Sequence, residues 1–299
     1  MTQRLEYLVA RLAAGEALGG ADAAELAAST DILTLGMLAD DARRRRHGTD
    51  TTFVRVVDVR LPLGGDAPDI PPAAREVRVI ADAAAFGAVL PGLRGVVTAA
   101  GEVPVSAFSL ADLQTHARAS GALLLDLLRD VRHAGVTSIA EAPIDVLEEA
   151  ESALEAVREA GLGLARLTVH GQAEAASRVA LILRASEVQH TLGWLPSFAP
   201  LPRSWSAASP TTGYEDVRQI ALARLLADNI PSIQVDWSLY GPKLAQVALT
   251  VGADDLDAVS AVDDVSDGRR RATLEEVRRN IQAAALVPVE RDGDYRRTG

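Results

Sequence analysis

The sequence predicts an α/β fold, a (β/α)8 TIM-type barrel behind an N-terminal helical preface. Three observations lead there. After residue 50, short β-branched runs alternate with helical patterns to the end of the chain, the order that gives parallel strands with helices outside. About eight such runs occur, the number that closes a barrel. Before residue 50 the patterning is helical only. The same order also permits a doubly wound open sheet, because residues 64–94 are weakly patterned.

The preface spans residues 1–50 and the barrel residues 51–299, as one domain. Leu5, Leu8, Val9 and Leu12 recur at helical spacing and mark one apolar face. A second helix starts over Ala21–Ala28. A third follows Ser29 and Thr30, with Leu33, Met37 and Leu38 on its buried stripe. Its last turn, Arg43–Arg46, suits the negative end of the helix dipole, and Gly48 stops it. In an acidic protein these arginines read as a solvated helix end rather than an RNA-binding patch.

Strands are expected at Thr52–Val57, Glu76–Ile80, Gly95–Thr98, Val136–Ile139, Leu164–Val169, Trp194–Phe198, Ile233–Trp237 and Ala258–Val262. Helices are expected at Ser109–His133, Ile144–Ala160, Ala173–Thr191, Tyr214–Asp228, Pro242–Val251 and Thr273–Ala285. Asp292–Gly299 reads as a short disordered tail.

Composition narrows the function. Of 299 residues 48% are hydrophobic, enough for a large core, and only 4% are aromatic, so that core is Ala, Leu and Val. A net charge of −11 argues against nonspecific binding to nucleic acid or an anionic membrane. The N-terminus shows no secretory pattern, and no apolar run is read as reaching the roughly 18–20 residues of a membrane span. The expectation is a cytoplasmic protein with no nucleic-acid and no membrane partner. Lys243 is the only lysine, which a bias towards Arg explains.

The absence of cysteine is the sharpest constraint. It removes disulfides, cysteine nucleophiles, Cys-ligated zinc and thiolate-held iron–sulfur clusters. The five histidines, His47, His116, His133, His170 and His190, never fall three or four residues apart, so no metal site is expected.

In a barrel, chemistry sits at the C-terminal strand ends and the loops after them. His170, ending "LARLTVHG", is a candidate base or hydrogen-bond donor, or a strand-end histidine bonded to backbone. Trp194, Phe198 and Trp205, in "GWLPSFAPLPRSW", form an aromatic pocket or a proline-braced rim. In "IQVDWSLYGPKL" either Gln234 and Asp236 or Ile233 and Val235 face inward. Asp236 is then a candidate acid or base, or a structural hydrogen-bonding residue. Tyr240 joins it as a catalytic candidate, while Trp237, Ser238 and Lys243 complete the substrate-binding set. Asp254, Asp255, Asp257, Asp263, Asp264 and Asp267 lack the EF-hand order and read as a turn and helix start. GxGxxG, the P-loop and the G-x-S-x-G elbow are all absent.

The stretches "TDILTLGMLADDARRRRHG" with "TTFV", "LARLTVHG", "LADNIPSIQVDWSLYGPKLAQVALTVGADDLDA" and "VPVERD" resemble the radical S-adenosylmethionine enzymes of menaquinone biosynthesis by the futalosine route. The likeness is to aminofutalosine synthase first, then to dehypoxanthine futalosine cyclase and the related FO synthase subunit. The resemblance implies a C-x-x-x-C-x-x-C loop after the first barrel strand, whose thiolates hold the cluster that cleaves S-adenosylmethionine. Here "DVRLPLGGDAPD" stands there, without a cysteine. Ile139-Ala140-Glu141-Ala142-Pro143 replaces the Gly-rich segment the family carries, and Ala258–Ala261, Val262 and Asp263 replace its later acidic strand.

The resemblance therefore implies a retained scaffold without radical chemistry. No iron–sulfur cluster is expected, and S-adenosylmethionine loses its iron anchor. One reading is an accessory or binding protein in menaquinone biosynthesis, partnered by a pathway enzyme or by a second copy of itself. The other is a cofactor-free enzyme using its barrel mouth for acid–base chemistry on an aromatic or nucleoside-like substrate.

Overall fold

The computed structural model describes residues 7–8, 11, 20–62, 68–171, 173–204, 213–262 and 274–298. Helices α1 (Gly20–Ala28) and α2 (Ile32–His47) lead into β1 (Asp50–Arg60) and β2 (Glu76–Ile80). Then follow α3 (Phe86–Ala100), β3 (Val105–Ser109), α4 (Leu110–Ser120), α5 (Leu124–His133) and β4 (Ser138–Pro143). After α6 (Ala150–Glu159) come β5 (Gly163–Leu164), β6 (Leu167–Val169), α7 (Ala175–Leu192) and β7 (Ser197–Pro202). The rest is α8 (Gly213–Leu226), β8 (Ser232–Asp236), α9 (Trp237–Leu249), β9 (Asp255–Ser260), α10 (Leu274–Ala283) and β10 (Val287–Glu290).

The strands pair in parallel in the order β1-β2-β3-β4-β6-β7-β8-β9, and β9 returns to β1 through Thr52↔Asp255 and Phe53↔Leu256. That closes a TIM-type barrel and removes the open-sheet alternative. β5 lies below β6 on the same stave, pairing with β4 at Ser138↔Gly163. β10 runs beside the first half of β1, from Asp50↔Val287 to Phe53↔Glu290, while β2 takes Val56–Arg60. Between Phe53/Arg55 of β1 and Leu256/Val259 of β9 the register shifts, a bulge that leaves Ala258 in left-handed backbone at φ +55°.

Several expectations change. Gly95–Thr98 lies inside α3, because Phe86, Val89, Leu93, Val96 and Ala100 form one buried helical stripe. The third strand is Val105–Ser109 instead. The single helix expected over 109–133 breaks at Gly121, whose φ of +71° ends α4. Residues 83–100 do form a helical stretch long and apolar enough to cross a membrane, contrary to expectation. Here that stretch buries its stripe against the barrel.

On α2 the buried stripe is Leu35, Gly36, Leu38, Ala39 and Ala42, with Leu33 and Met37 exposed at 77% and 71%. α2 packs on α8, and a Cβ at Gly36 would stand 2.9 Å from Cγ1 of Val251, which follows α9, so a larger residue there must displace that valine. Arg43, expected in solvent, is fully buried and bonds Asp40 at 3.0 Å. The tail residues 292–298 are ordered: Arg291 bridges to Arg297, and Asp292 accepts the amides of Asp294 and Arg296. Residues Leu5, Val9, Leu12, Trp205, Asp263, Asp264 and Asp267 lie outside the described residues.

Candidate functional site at the barrel mouth

Side chains two apart on a strand share a face. Glu76 and Arg78 on β2, Gln234 and Asp236 on β8, and Asp255 and Asp257 on β9 all point into the lumen, where Arg78 meets Glu76 and Asp257, Gln234 meets Asp255, and Asp236 meets Arg203. This settles the facing of β8: Ile233 and Val235 pack outward in the core. The lumen is thus filled with charge where barrels commonly stack aliphatic layers.

At the lower end, Arg291 forks onto Asp255 at 2.6 and 2.7 Å, and its guanidinium lies 4.0 Å from the Tyr295 ring centre. The Tyr295 hydroxyl donates to Ala165 O at 2.6 Å and lies 2.6 Å from Ser197 Oγ. Burial pushes this phenol up to about 12, with Arg291 opposing. One layer higher, Arg78 pairs with Asp257 at 2.8 Å and Glu76 at 3.1 Å. Arg166 joins the same two carboxylates and donates to Ala140 O at 2.9 Å, while Ser106 donates to Glu76 at 2.6 Å. Burial works against the charge on Glu76 and Asp257, but Arg78 and Arg166 outweigh it and hold both below the ordinary carboxylate range.

Above this floor opens a cavity of about 330 Å³ at the C-terminal strand ends. Asp58 from β1, Asp112 from α4, Glu141 from β4 and Asp236 from β8 reach it, with Arg203 following β7. Arg203 ties two sides of the mouth together, pairing with Glu141 at 2.8 Å and Asp236 at 3.2 Å. Asp236 also caps α9: its Oδ1 accepts from Leu239 N at 2.9 Å and from Ser238 Oγ at 2.8 Å.

Asp58 and Asp112 make no ion pair or hydrogen bond among the described residues. Protein packed around Asp58 raises its pKa, with Arg78 opposing and Asp257 adding to the rise. Asp112 is raised by burial and then by Glu141, with His170 opposing. Phe108, at φ +62°, and Ala258 line the same cavity in left-handed backbone. The site can bind a polar ligand, and its two unpaired carboxyls can take up or release a proton.

Of the residues singled out from sequence, Asp236 and Ser238 line this cavity. His170 does not line it, although it stands close enough to Asp112 to act on its charge. Its backbone N–H and that of Gly171 are held by Asp145 at 2.7 and 2.8 Å. Tyr240 is tied down, donating to Pro202 O at 2.5 Å, and Trp237 is buried behind the strand end at 5% exposure. Lys243 is exposed on α9, beyond the break at Gly241. Phe198 is a core residue. Trp194 precedes β7, and so stands at the opposite end of the barrel in a different cavity. Sequence reasoning missed Asp58, Arg78, Asp112, Arg166 and Arg203. The one available signal was the polar pair Glu76 and Arg78 on a single face of an otherwise apolar strand.

Residues 200–298 match the CofH/MqnC C-terminal region. The 5-amino-6-(D-ribitylamino)uracil–L-tyrosine 4-hydroxyphenyl transferase of Archaeoglobus fulgidus is 27% identical over 222 residues, covering 65% of each chain. The aminodeoxyfutalosine synthase of Thermus thermophilus is 35% identical over 127 residues, 38% of this chain and 34% of that one. The chain resembles the futalosine-pathway radical S-adenosylmethionine family.

These alignments span less than two thirds of the relatives' own lengths. Among solved structures, methylornithine synthase superposes with a TM-score of 0.66 at 12% identity, over 94% of this chain and 97% of that one. At that identity the likeness establishes the barrel alone.

In this family the resemblance puts cluster thiolates just after β1. The end of β1 here presents Asp58 and Arg60, and neither they nor anything else in the chain is a thiolate. Carboxylate and guanidinium do not fit a thiolate-held iron–sulfur cluster. Among the described residues no three of His, Asp and Glu converge as a metal site.

Proposed function

We propose that this protein is a cluster-free relative of the futalosine-pathway enzymes and serves menaquinone biosynthesis in the cytoplasm as an accessory binding protein. It does not run radical chemistry. Its mouth takes a small aromatic or nucleoside-like pathway molecule, and a pathway enzyme or a second copy of the chain is its partner. The observation that carries this reading is a chain with a full barrel and no cysteine, including after β1 where the resemblance implies the cluster. A cavity of about 330 Å³ is within the size range of small-molecule sites.

Anaerobic reconstitution with iron and sulfide tests the first half. We expect no stoichiometric iron and no visible cluster absorbance; a signal near one cluster per chain overturns the reading. Adding the purified chain to the pathway's own enzymes tests the second half, with a rise in their turnover as the expected result.

A specific observation supports a second reading, cofactor-free acid–base catalysis. Asp58 and Asp112 both have raised pKa values and open into one cavity, a pattern common where carboxyls shuttle protons. Conversion of a pathway intermediate by the purified chain alone would favour it over the accessory role.

A further inference from the structure

The end of the barrel opposite the mouth carries its own cavity, of about 510 Å³. It lies at the N-terminal strand ends, where Trp194 stands just before β7 and the tail residues 293–296 form the facing wall. Tyr295 fixes that wall through its buried hydroxyl contacts to Ala165 and Ser197. We propose that this lower cavity is a binding site for a planar aromatic carboxylate, separate from the mouth and independent of the function argued above.

Three features of the cavity specify that ligand. Trp194 offers an aromatic wall. Arg132 supplies charge: it donates to Val136 O at 3.2 Å and makes no ion pair among the described residues. The second guanidinium, Arg296, is already matched by Asp294 at 3.3 Å. Among the described residues lining this cavity one positive charge, Arg132, is therefore left without a counter-charge, in a protein whose net charge is −11. A single carboxylate answers that charge, and an aromatic ring answers the indole wall.

The room comes from glycine. A Cβ added at Gly163 would lie 3.5 Å from Ser138 Cβ and 3.6 Å from Thr137 O, ordinary contact distances, so a side chain there fits the backbone and occupies the cavity.

Calorimetric titration with 2-naphthoate tests the proposal, with 2-naphthylmethanol as the uncharged ring and acetate as the ringless anion. We expect one site per chain, with 2-naphthoate at least tenfold tighter than either control. Arg132→Gln, which changes an exposed side chain, and Gly163→Leu should each weaken binding at least tenfold with an unchanged circular dichroism spectrum. Arg118→Gln, elsewhere on the surface, should bind as the wild type does. The proposal is overturned if the wild type binds 2-naphthoate no better than the controls. It is equally overturned if folded Arg132→Gln binds as tightly as the wild type, which would place the ligand elsewhere.

Discussion

The floor of the barrel and its mouth are built from the same residue types on different strands of one barrel, yet they balance charge differently. On the floor each guanidinium meets carboxylates: Arg78 and Arg166 share Glu76 and Asp257, and Arg291 holds Asp255. All six are buried, so the network is a fixed part of the fold. At the mouth one arginine, Arg203, serves Glu141 and Asp236, and Asp58 and Asp112 are left over. Buried charge is tolerable when matched and costly when not. The unmatched carboxyls stand where solvent or a ligand can reach them, so the same chemistry acts as structure below and as a site above.

If that contrast holds, the largest effect should follow from breaking the floor. Asp257→Ala leaves two buried guanidinium groups, Arg78 and Arg166, with Glu76 as their one remaining carboxylate and should cost about 3–5 kcal/mol in denaturant unfolding. Because Glu76 and Asp257 titrate below the ordinary carboxylate range, their contribution is present above about pH 4 and lost as pH falls through their folded values. A loss under 1 kcal/mol would mean that the floor is not a matched unit.

Tyr295→Phe comes next. It strips the hydroxyl from Ala165 O and should cost about 1–3 kcal/mol. The folded phenol is raised to about 12, so its contribution is full below pH 10 and disappears as pH rises from 10 to about 12. The Phe variant should lack that alkaline decline. Asp236→Ala tests the border between the two regions, since Asp236 lines the mouth yet caps α9. A loss of about 1–2 kcal/mol is expected from the cap. A variant as stable as the wild type would give Asp236 a role in the site alone.

How much of this was legible depended on the range of the interaction. β2 was readable at its observed bounds, Glu76–Ile80, because its apolar alternation is local. The position of Trp237 at the end of β8 followed from the β-branched run before it, although α9 begins at Trp237 where a loop was expected. Arg166 and Asp257 are 91 residues apart, and no local pattern announces their pairing. The tail looked unstructured because Arg291, Asp292 and Tyr295 are polar, although Arg291 and Tyr295 find partners in the barrel and Asp292 accepts the tail's own amides. Trp194 shows the price of a boundary error. Starting β7 at residue 194 instead of Ser197 puts the indole on the strand, whereas the observed start leaves it beneath the barrel. The mouth's unpaired carboxyls were illegible for a similar reason, since being unpaired is a property of the assembled lumen.

Asp58→Asn should have the smallest effect on stability and tests the contrast most directly. The wild-type carboxyl is raised by its surroundings, so its ionised form at pH 7 is disfavoured by the fold. Asparagine keeps the shape and removes the charge, so the variant should match the wild type or exceed it slightly, within about 0.5 kcal/mol. Any gain should vanish in acid, where the wild-type side chain is itself neutral. That is opposite in sign to Asp257, although both carboxyls lie near Arg78. Desolvation gives both the same tendency, partial at exposed Asp58 and full at buried Asp257, and only the ion pairs reverse it for Asp257. A loss above 1 kcal/mol for Asp58→Asn would show that the mouth carboxyl is a structural partner like those below it, and the division between floor and site would fall.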